Sequence, residues 1–265
     1  MSNDSVAKTL FVAVTLCLVC SVIVAGSAVL LKPAQTDNRL LDKQKNILVA
    51  AGLLNSNESV KDAFKKIETR LVNVSEGRFA TVEELAALGI NDAKAYDPRK
   101  AAKIKSSNVA IASDKDIASI KVRAKFYPVY LLRDSSGKLD KIILPMHGYG
   151  LWSTLYGFIA LGHDLNTVTG LTFYEHAETP GLGGEVDNPK WKDLWPGKKI
   201  YDEQSNVAIT LIKGTVDKSK PESVHQVDGL AGASLTSRGV SNLTRFWLGK
   251  EGFGPFLNSL SKDGV

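Results

Sequence analysis

The pattern of hydrophobic and polar positions changes along the chain. Its first feature is a long apolar run near the N-terminus. Residues 10–31, about 22 in all, include no charged side chain. As an α-helix this run would be roughly 33 Å long, enough to cross a hydrocarbon core of ~30 Å. The pattern predicts a transmembrane helix over residues 10–31, after a short tip of residues 1–9.

A helical pattern follows the apolar run. Val60, Ala63, Phe64 and Ile67 have the i, i+3, i+4, i+7 spacing of an amphipathic helix. Residues 101–107 are polar and are typical of a connecting segment. We therefore predict that residues 32–115 form a helical and connecting region.

The pattern changes to that of β-strands after about residue 116. Residues 126–132 and 142–146 are rich in β-branched and aromatic side chains, and the Gly-containing segment 134–138 between them predicts a hairpin. Further strands are predicted over residues 167–174 and 207–213, and helices over residues 240–247 and 255–260. The sequence therefore predicts an α+β fold, in which a twisted antiparallel sheet is flanked by helices, with residues 116–265 as a separate domain.

A cleaved signal peptide is the alternative to a membrane span, because residues 25–28 have small side chains. The apolar run is, however, longer than the roughly 7–15 residues of a signal-peptide core. Cys17 and Cys20 also lack the small preceding residue that a lipoprotein cleavage site requires. An uncleaved single span is favoured.

Charges near the span do not fix its orientation, since Lys8 precedes it while Lys32 and Arg39 follow it. The short tip and the long downstream region favour a cytoplasmic tip and an exported body. We expect a single-pass protein of a bacterial inner membrane, with its folded domain on the periplasmic side.

Composition and charge exclude several classes of protein. The net charge of +5 comes from cations that are interspersed with acids, so a nucleic-acid-binding surface has little support. Both cysteines lie in the apolar run, so no disulfide framework stabilises the rest. They are either incidental there, or one thiol lies near a redox centre of neighbouring membrane subunits. The histidines lack ligand spacing, so no metal site is predicted.

The chemically most informative segment comprises residues 228–237, which are small and rich in hydroxyls and precede an amphipathic segment. Glycine and alanine let a backbone approach a ligand closely, and a helix N-terminus favours an anion. Asp228, Ser234 and Thr236 add polar groups there. The segment predicts an anion site with a candidate covalent acceptor, although ordinary helix caps use the same residue types.

Two glycine-containing loops come after predicted strands. Residues 147–152 end in Trp152, which could pack on a flat ligand, and residues 176–184 contain glycines and a proline that make a rigid loop. Either loop alone is more typical of a simple turn.

The run Asp-Gly-Leu-Ala-Gly-Ala-Ser-Leu-Thr at residues 228–236 resembles the flavinylation motif of the FMN-binding domain family. In that family the Thr after Gly-Ala carries FMN through a phosphoester bond. The resemblance implies that Ser234, which keeps the necessary hydroxyl, carries FMN here. Gly232 and Ala233 would leave the approach to the phosphate clear. Asp228 would serve transferase recognition or cap the turn, and Thr236 would offer a second hydroxyl to the phosphate or cap the helix.

The same resemblance places the Glu-Thr-Pro-Gly-Leu-Gly loop of residues 178–183 against the flavin ring. It implies ring contacts that involve Trp152, Thr179, Gly181, Leu182 and Gly183. Glu178 would be either a ring contact or a loop acid that is itself capped.

Nearly the whole chain resembles the C-type subunits of sodium-translocating NADH:quinone oxidoreductases, in segments such as residues 181–186 and 247–256. The G-type subunits of Rnf electron-transport complexes are the related alternative. The resemblance implies a carrier that passes single electrons from a membrane iron–sulfur centre to the flavin of a neighbouring subunit, in a complex that exports sodium. Other membrane subunits and an FAD-dependent flavin transferase are the implied partners. The sequence has no strand-linked nicotinamide fingerprint, consistent with a carrier and not a stand-alone catalyst.

A function from another class stays open from the residues alone. A single-span protein with an exported α+β domain could be a binding or sensor module without redox chemistry, in which Ser234 is an ordinary N-cap.

Overall fold

A computed structural model describes residues 5–54 and 57–262 of the chain. The first four residues of the predicted tip, 1–4, lie outside the described residues. The chain forms two compact units, Met1–Lys43 and Gln44–Val265.

The first unit consists mainly of one helix. Helix α1 covers Val6–Ala51 and contains the whole predicted span. Its apolar side chains before Lys32 are exposed, and among the described residues it is the one helix long and apolar enough to cross a membrane. The helix continues well past the predicted end at residue 31, and its last turns belong to the second unit.

The second unit has a six-stranded antiparallel sheet, accompanied by two small strand pairs and several helices. After α1 the elements are α2 (Val60–Phe64), β1 (Ile67–Asn73), β2 (Arg78–Phe79), α3 (Val82–Ala87), α4 (Pro98–Ala101), β3 (Asn108–Ala110), β4 (Val122–Ala124), β5 (Phe126–Arg133), β6 (Leu139–Tyr149), β7 (Thr154–Gly162), β8 (Val168–Glu175), α5 (Pro189–Lys192), β9 (Thr210–Ile212), β10 (Gln226–Asp228), α6 (Ser234–Leu248) and α7 (Gly254–Lys262). Short 3₁₀ helices cover Gly183–Asp187 and Pro221–His225.

The strand order of the main sheet is β2-β1-β5-β6-β7-β8, and every neighbouring pair is antiparallel. The predicted hairpin is confirmed as β5 and β6. Its turn is fixed by Asp134, whose carboxylate accepts the N–H groups of Ser136 and Lys138 at 2.8 and 3.0 Å. Gly137 has a φ of +82°, a conformation that glycine adopts without steric cost.

Both faces of the sheet are covered, which explains why its central strands are apolar throughout. On one face Ile142 and Leu144 pack in the same core as residues of α6 and α7. On the other face Ile143 and Phe158 pack with the end of α1 and with α2. The first seven residues of β5 are consequently all buried. The predicted α+β fold with helices flanking an antiparallel sheet is confirmed.

The helical prediction for residues 32–115 is wrong in part. Helix α2 ends at Phe64, and Ile67 begins β1, which pairs with β5 along its whole length. Strands β2 and β3 lie in the same region. The spacing of apolar residues up to Ile67 suited a helix, but tertiary pairing with an apolar strand decided the conformation. Residues 44–265 form one compact unit. The predicted domain boundary at residue 116 therefore falls inside this unit.

The last turn of α1 is capped by its own backbone and is bonded to the sheet by a lysine side chain. Gly52 has a φ of +69°, its N–H donates to Val49 O, and the N–H of Leu53 donates to Leu48 O. This is a Schellman ending, which satisfies carbonyls that a helix otherwise leaves unpaired. Lys141 of β6 adds a bond from Nζ to Ala51 O at 2.9 Å, and its charge suits a helix C-terminus.

Gly170 of β8 lies close against the backbone of the last turns of α1. A Cβ at this position would collide with the carbonyl oxygen of Ala50. Neither backbone can move away without disturbing the core around it. Only a residue without a side chain therefore permits the contact.

We expect Gly170→Ala to lower the free energy of unfolding by about 1–3 kcal/mol, because the added methyl group overpacks a rigid contact. Urea denaturation of the detergent-solubilised protein, followed by near-UV circular dichroism, measures the change. Gly162→Ala is the matched control in β7. Its Cβ would lie 3.5 Å from the nearest atom, so its effect should stay within about 1 kcal/mol. Equal losses for the two variants would contradict the overpacking argument.

Candidate functional site

The buried carboxylate of Glu178 brings three segments of the chain together. The side chain is 5% exposed and follows β8 in the glycine-rich loop. Its Oε1 accepts the N–H groups of Leu151, Trp152 and Ser153, at 3.0, 2.9 and 3.3 Å. Its Oε2 accepts the hydroxyl of Thr236 in α6, at 2.7 Å. The turn after β6, the loop after β8 and the start of α6 therefore meet at one acid.

The hydrogen bonds keep this carboxylate ionised. Burial alone would raise the pKa of Glu178, since it removes water from the charged form. The Thr236 hydroxyl and the three backbone N–H groups outweigh burial, and the pKa of Glu178 lies below its ordinary value. Of the two roles predicted for Glu178, the structure therefore favours the capped loop acid.

Two glycines leave the space that this acid occupies. A Cβ on Gly150 would lie 2.6 Å from Glu178 Oε1, and a Cβ on Gly183 would lie 2.6 Å from Oε2. Both distances are too short for a side chain. Gly183 is buried, and it lets the loop pack closely on the Glu178 carboxylate. This burial does not favour the contact with the flavin ring that was predicted for Gly183.

Thr236 does not have either of the roles predicted for it. It is fully buried, and its hydroxyl donates to Glu178, so the hydroxyl is not available to a phosphate outside. Helix α6 begins two residues earlier, so Thr236 does not cap it either. The sequence pattern could not distinguish a hydroxyl that faces a ligand from one that faces inward.

Ser234 is the first residue of α6, and its side chain is exposed. The N-cap position belongs to Ala233, which has no side chain to bond the first turn. The alternative in which Ser234 is an ordinary N-cap is therefore wrong. The N–H groups of a first helical turn lack intrahelical partners, so Ser234 lies where a phosphate is favoured.

The turn before Ser234 is held from beneath by Ser237. The Ser237 hydroxyl accepts the N–H of Leu230 at 2.9 Å and donates to the carbonyl of Ala233 at 3.0 Å. Gly232 has a φ of +71°, and a Cβ there would lie 2.9 Å from Leu182 Cδ2. The contact with Leu182 therefore leaves no room for a side chain at position 232, and the clear approach to a phosphate there stays a prediction.

Asp228 braces the same turn from the other end. Its Oδ1 accepts the N–H of Val216 at 2.8 Å, and its carbonyl accepts the indole N–H of Trp191 at 2.9 Å. These bonds hold the residue before the turn against the segment after β9 and against α5, and the role predicted for Asp228 stays a prediction.

Large apolar side chains stay exposed around this framework. Trp152 is 64% exposed, although its backbone N–H is bonded to Glu178. Leu182 is 43% exposed, although it packs against the backbone of Gly232. Thr179 and Gly181 are exposed in the same loop. Their exposure leaves Trp152 and Leu182 free to cover a planar apolar ligand, as the prediction requires.

Two residues that the sequence reasoning missed lie beside Ser234. Leu235 is 50% exposed, which is unusual for a leucine in an amphipathic helix. Arg238 is also exposed and stands four residues after Ser234, so the two share one helix face. Among the described residues no carboxylate pairs with Arg238. The i, i+4 spacing from Ser234 was the signal that would have found it.

These groups fit a flavin mononucleotide. An exposed hydroxyl and an arginine at a helix N-terminus suit a phosphate, and exposed Trp152 and Leu182 suit the two faces of a ring. The model of the FMN-binding domain family matches residues 150–249, which include all of these groups.

Comparison with whole proteins decides the family. A relative from Pseudomonas aeruginosa, the C-type subunit (NqrC) of a Na(+)-translocating NADH-quinone reductase, is 54% identical over 265 residues and covers 98% of each chain. The chain belongs to the NqrC family. A second member, from Yersinia pestis, is 47% identical over 263 residues, which cover 98% of this chain and 94% of the relative.

Solved structures of NqrC proteins have the same fold. The crystal structure of Shewanella oneidensis NqrC superposes with a TM-score of 0.76 at 35% identity, and the match covers 85% of this chain and 99% of that one. The corresponding protein from Parabacteroides distasonis gives a TM-score of 0.63 at 28% identity, with coverage of 86% and 96%. The resemblance to the NqrC family, noted from sequence motifs, is confirmed.

We expect Glu178→Gln to lower the free energy of unfolding by about 1–3 kcal/mol at neutral pH, because four hydrogen bonds lose their charged acceptor. Since the pKa is lower in the folded chain than its ordinary 4.5, the stabilisation is fully present above that value. It is lost as the pH falls through the folded pKa. The gap between wild type and variant should therefore shrink on acidification.

Urea denaturation at a series of pH values, from about 6 down to about 3, measures this gap. Glu203→Gln replaces an exposed acid and is the matched control, for which we expect no such gap. A Glu178→Gln penalty that does not vary with pH would show that Glu178 is not ionised in the fold.

Proposed function

We propose that this chain is the membrane-anchored electron-carrier subunit of a Na+-translocating NADH:quinone oxidoreductase, and that it carries FMN covalently on Ser234. The observation that supports the proposal most directly is the position of Ser234. Its hydroxyl is exposed at the start of α6, on a turn that Ser237 and Asp228 fix from within. A flavin attached there would be held in one place without a deep pocket.

The attachment is a phosphoryl transfer from FAD. The Ser234 Oγ forms a bond to the phosphorus of the FMN half, the bond from that phosphorus to the bridging oxygen breaks, and AMP leaves. The hydroxyl proton passes to a base of a flavin transferase, which is therefore an expected partner. The small side chain of Ala233 and the bare backbone of Gly232 leave the attack path open. Arg238 would pair with the diester that remains.

The bound FMN supplies one-electron redox chemistry. The residues of this chain hold it and shield it. Trp152 and Leu182 would pack on the ring and exclude water, while Thr179 and the backbone at Gly181 would bond its polar edge. Glu178 acts through the turn of residues 151–153 and is a positioning residue, without contact to the ring.

The remaining assignments follow from membership in a multisubunit complex. We propose that the chain relays single electrons from an iron–sulfur centre of the membrane subunits to the flavin of a neighbouring subunit. Sodium export then belongs to the assembly. Helix α1 would cross the inner membrane, with the tip in the cytoplasm and the folded unit on the periplasmic side. A covalent bond suits that location, because free FMN cannot be drawn from the cytoplasm there.

We expect Ser234→Ala to abolish covalent flavin while leaving the domain folded. Alanine at the first helical position removes the acceptor but no capping bond, since Ala233 is the N-cap. Intact mass of the membrane-extracted protein, followed by peptide mapping, measures the attachment. Wild type should carry the added mass of one FMN less one water on the Ser234 peptide.

Ser234→Thr should keep the flavin, and Ser135→Ala, an exposed serine of the β5–β6 turn, should not change it. Near-UV circular dichroism confirms folding in each variant. An unmodified wild-type mass, when the protein is made together with its complex partners and a flavin transferase, would refute the covalent assignment.

The proposed orientation predicts which face of the membrane exposes a cysteine at position 135. Both natural cysteines lie in α1, so Cys17→Ser and Cys20→Ser give a background in which one new thiol can be followed. In that background Ser135→Cys should react with a membrane-impermeant maleimide in spheroplasts, whereas Ser5→Cys should react only after lysis. The reverse pattern would place the domain in the cytoplasm.

A further inference from the structure

His176 stands at the start of the glycine-rich loop of residues 176–184, and the proposed function assigns it no role. Its side chain is 13% exposed. Nδ1 of the imidazole accepts the backbone N–H of Glu178 at 3.1 Å, and Nε2 lies 2.8 Å from a carboxylate oxygen of Asp187. One side chain therefore joins the beginning of the loop to the 3₁₀ helix at its end.

The two partners determine which nitrogen of the imidazole carries the proton. A backbone N–H can only donate, so Nδ1 of His176 is an acceptor without a hydrogen. The carboxylate of Asp187 accepts, so the Nε2–H donates to it. The neutral Nε2–H tautomer satisfies both partners at once, whereas the neutral Nδ1–H tautomer satisfies neither.

The residues after His176 are also bonded to the turn that follows β6. The N–H of Ala177 donates to the Ser153 hydroxyl at 2.7 Å. The carboxylate of Glu178 accepts the backbone N–H of Trp152 at 2.9 Å. Glu178 is thus held twice, at its backbone by His176 and at its side chain by the turn that carries Trp152.

Beyond Glu178 the loop turns sharply at its exposed tip. The carbonyl of Thr179 accepts the N–H groups of Leu182 and Gly184, at 3.1 and 2.9 Å. Thr179 and Leu182 are exposed, so packing in the core does not orient them. Buried Val186 holds the far end of the loop. The near end begins at the backbone of Glu178, where the bond to His176 is made.

We propose that His176 is a positioning residue of the flavin site. Its Nδ1 fixes the backbone of Glu178, and thereby the direction in which the segment with Thr179 and Leu182 leaves β8. Asp187 acts through His176, because it holds the imidazole in the tautomer whose Nδ1 accepts. The role toward the flavin rests on the proposed function, whereas the bond between Glu178 and His176 does not depend on a flavin.

Variants that remove the two ring nitrogens separately test the proposal. His176→Asn keeps an acceptor near the position of Nδ1, since asparagine in turns bonds the backbone two residues on. His176→Gln keeps an N–H donor near the position of Nε2 and loses that acceptor. His176→Phe keeps a ring and loses both nitrogens. His163→Gln, at an exposed histidine after β7, is the matched control.

Hydrogen exchange of the Glu178 amide, resolved by mass spectrometry with peptide fragmentation, measures the bond directly. The full-length protein in lipid nanodiscs carries Ser234→Ala, so that no flavin is attached. The side chains of residues 177 and 178, which set the intrinsic exchange rate of this amide, are the same in every variant. Exchange of the amides of β7 monitors global unfolding and should stay unchanged.

We expect the Glu178 amide to exchange about fivefold faster in His176→Gln and His176→Phe, because one hydrogen bond to a neutral acceptor is lost. His176→Asn and His163→Gln should exchange as the parent protein does. With Ser234 intact, iodide should quench the flavin fluorescence more strongly in His176→Gln and His176→Phe, because the loop shields the ring less. His176→Asn should match wild type in this measurement too.

Equal exchange of the Glu178 amide in His176→Asn and His176→Gln would overturn the proposal. Slow exchange in His176→Phe would show that the ring only fills space. Fast exchange in His176→Gln with wild-type quenching would show that the bond does not position the flavin loop. A wild-type protein without attached flavin would refute the proposed function instead, and exchange in the Ser234→Ala background would still decide whether His176 fixes the loop.

Discussion

The bond between the Glu178 carboxylate and three consecutive backbone N–H groups is the interaction on which the candidate site depends. A buried carboxylate is costly unless hydrogen bonds compensate for the water it loses, and bonds to a charged acceptor are each worth roughly 1.5–3 kcal/mol. With the Thr236 hydroxyl, four donors converge on this acid. The turn that carries Trp152 and the first turn of α6 thus have a common anchor. The positions of the exposed groups follow from a carboxylate that is itself buried.

The site therefore has buried residues that fix the positions of its loops, and exposed residues that are available to a ligand. Glu178, Thr236 and Ser237 have their polar atoms satisfied within the protein. Ser234 and Trp152 are exposed. Such a division suits a carrier, since a redox group that must exchange electrons quickly benefits from a rigid support and an open edge. A lid or a deep cleft would impede the approach of successive partners.

Much of the fold was predictable because local signals and tertiary structure agree. The β5–β6 hairpin has apolar strands around an Asp134–Gly137 turn, and α6 and α7 have clear amphipathic patterns. Strand β1 was not predictable, because its pairing with β5 overrode a short helical spacing that ended at Ile67. In the site, residue types indicated an anion and a hydroxyl acceptor. They did not indicate which hydroxyl faces inward, since Thr236 and Ser234 differ only in helical phase.

The orientation of these residues around the axis of α6 limits which sequence changes the site can accept. Thr236, Ser237 and Gly239 all face the interior, whereas Ser234 faces out. Successive helical residues are separated by about 100°. Inserting one residue between Ser234 and Thr236 would move the acceptor hydroxyl to the position that buried Ala233 now occupies. Exchange of one hydroxyl residue for another at position 234 preserves the site, while a change in spacing does not. The length of the motif is thus set by the helix that supports it, and not by the bond formed on its surface.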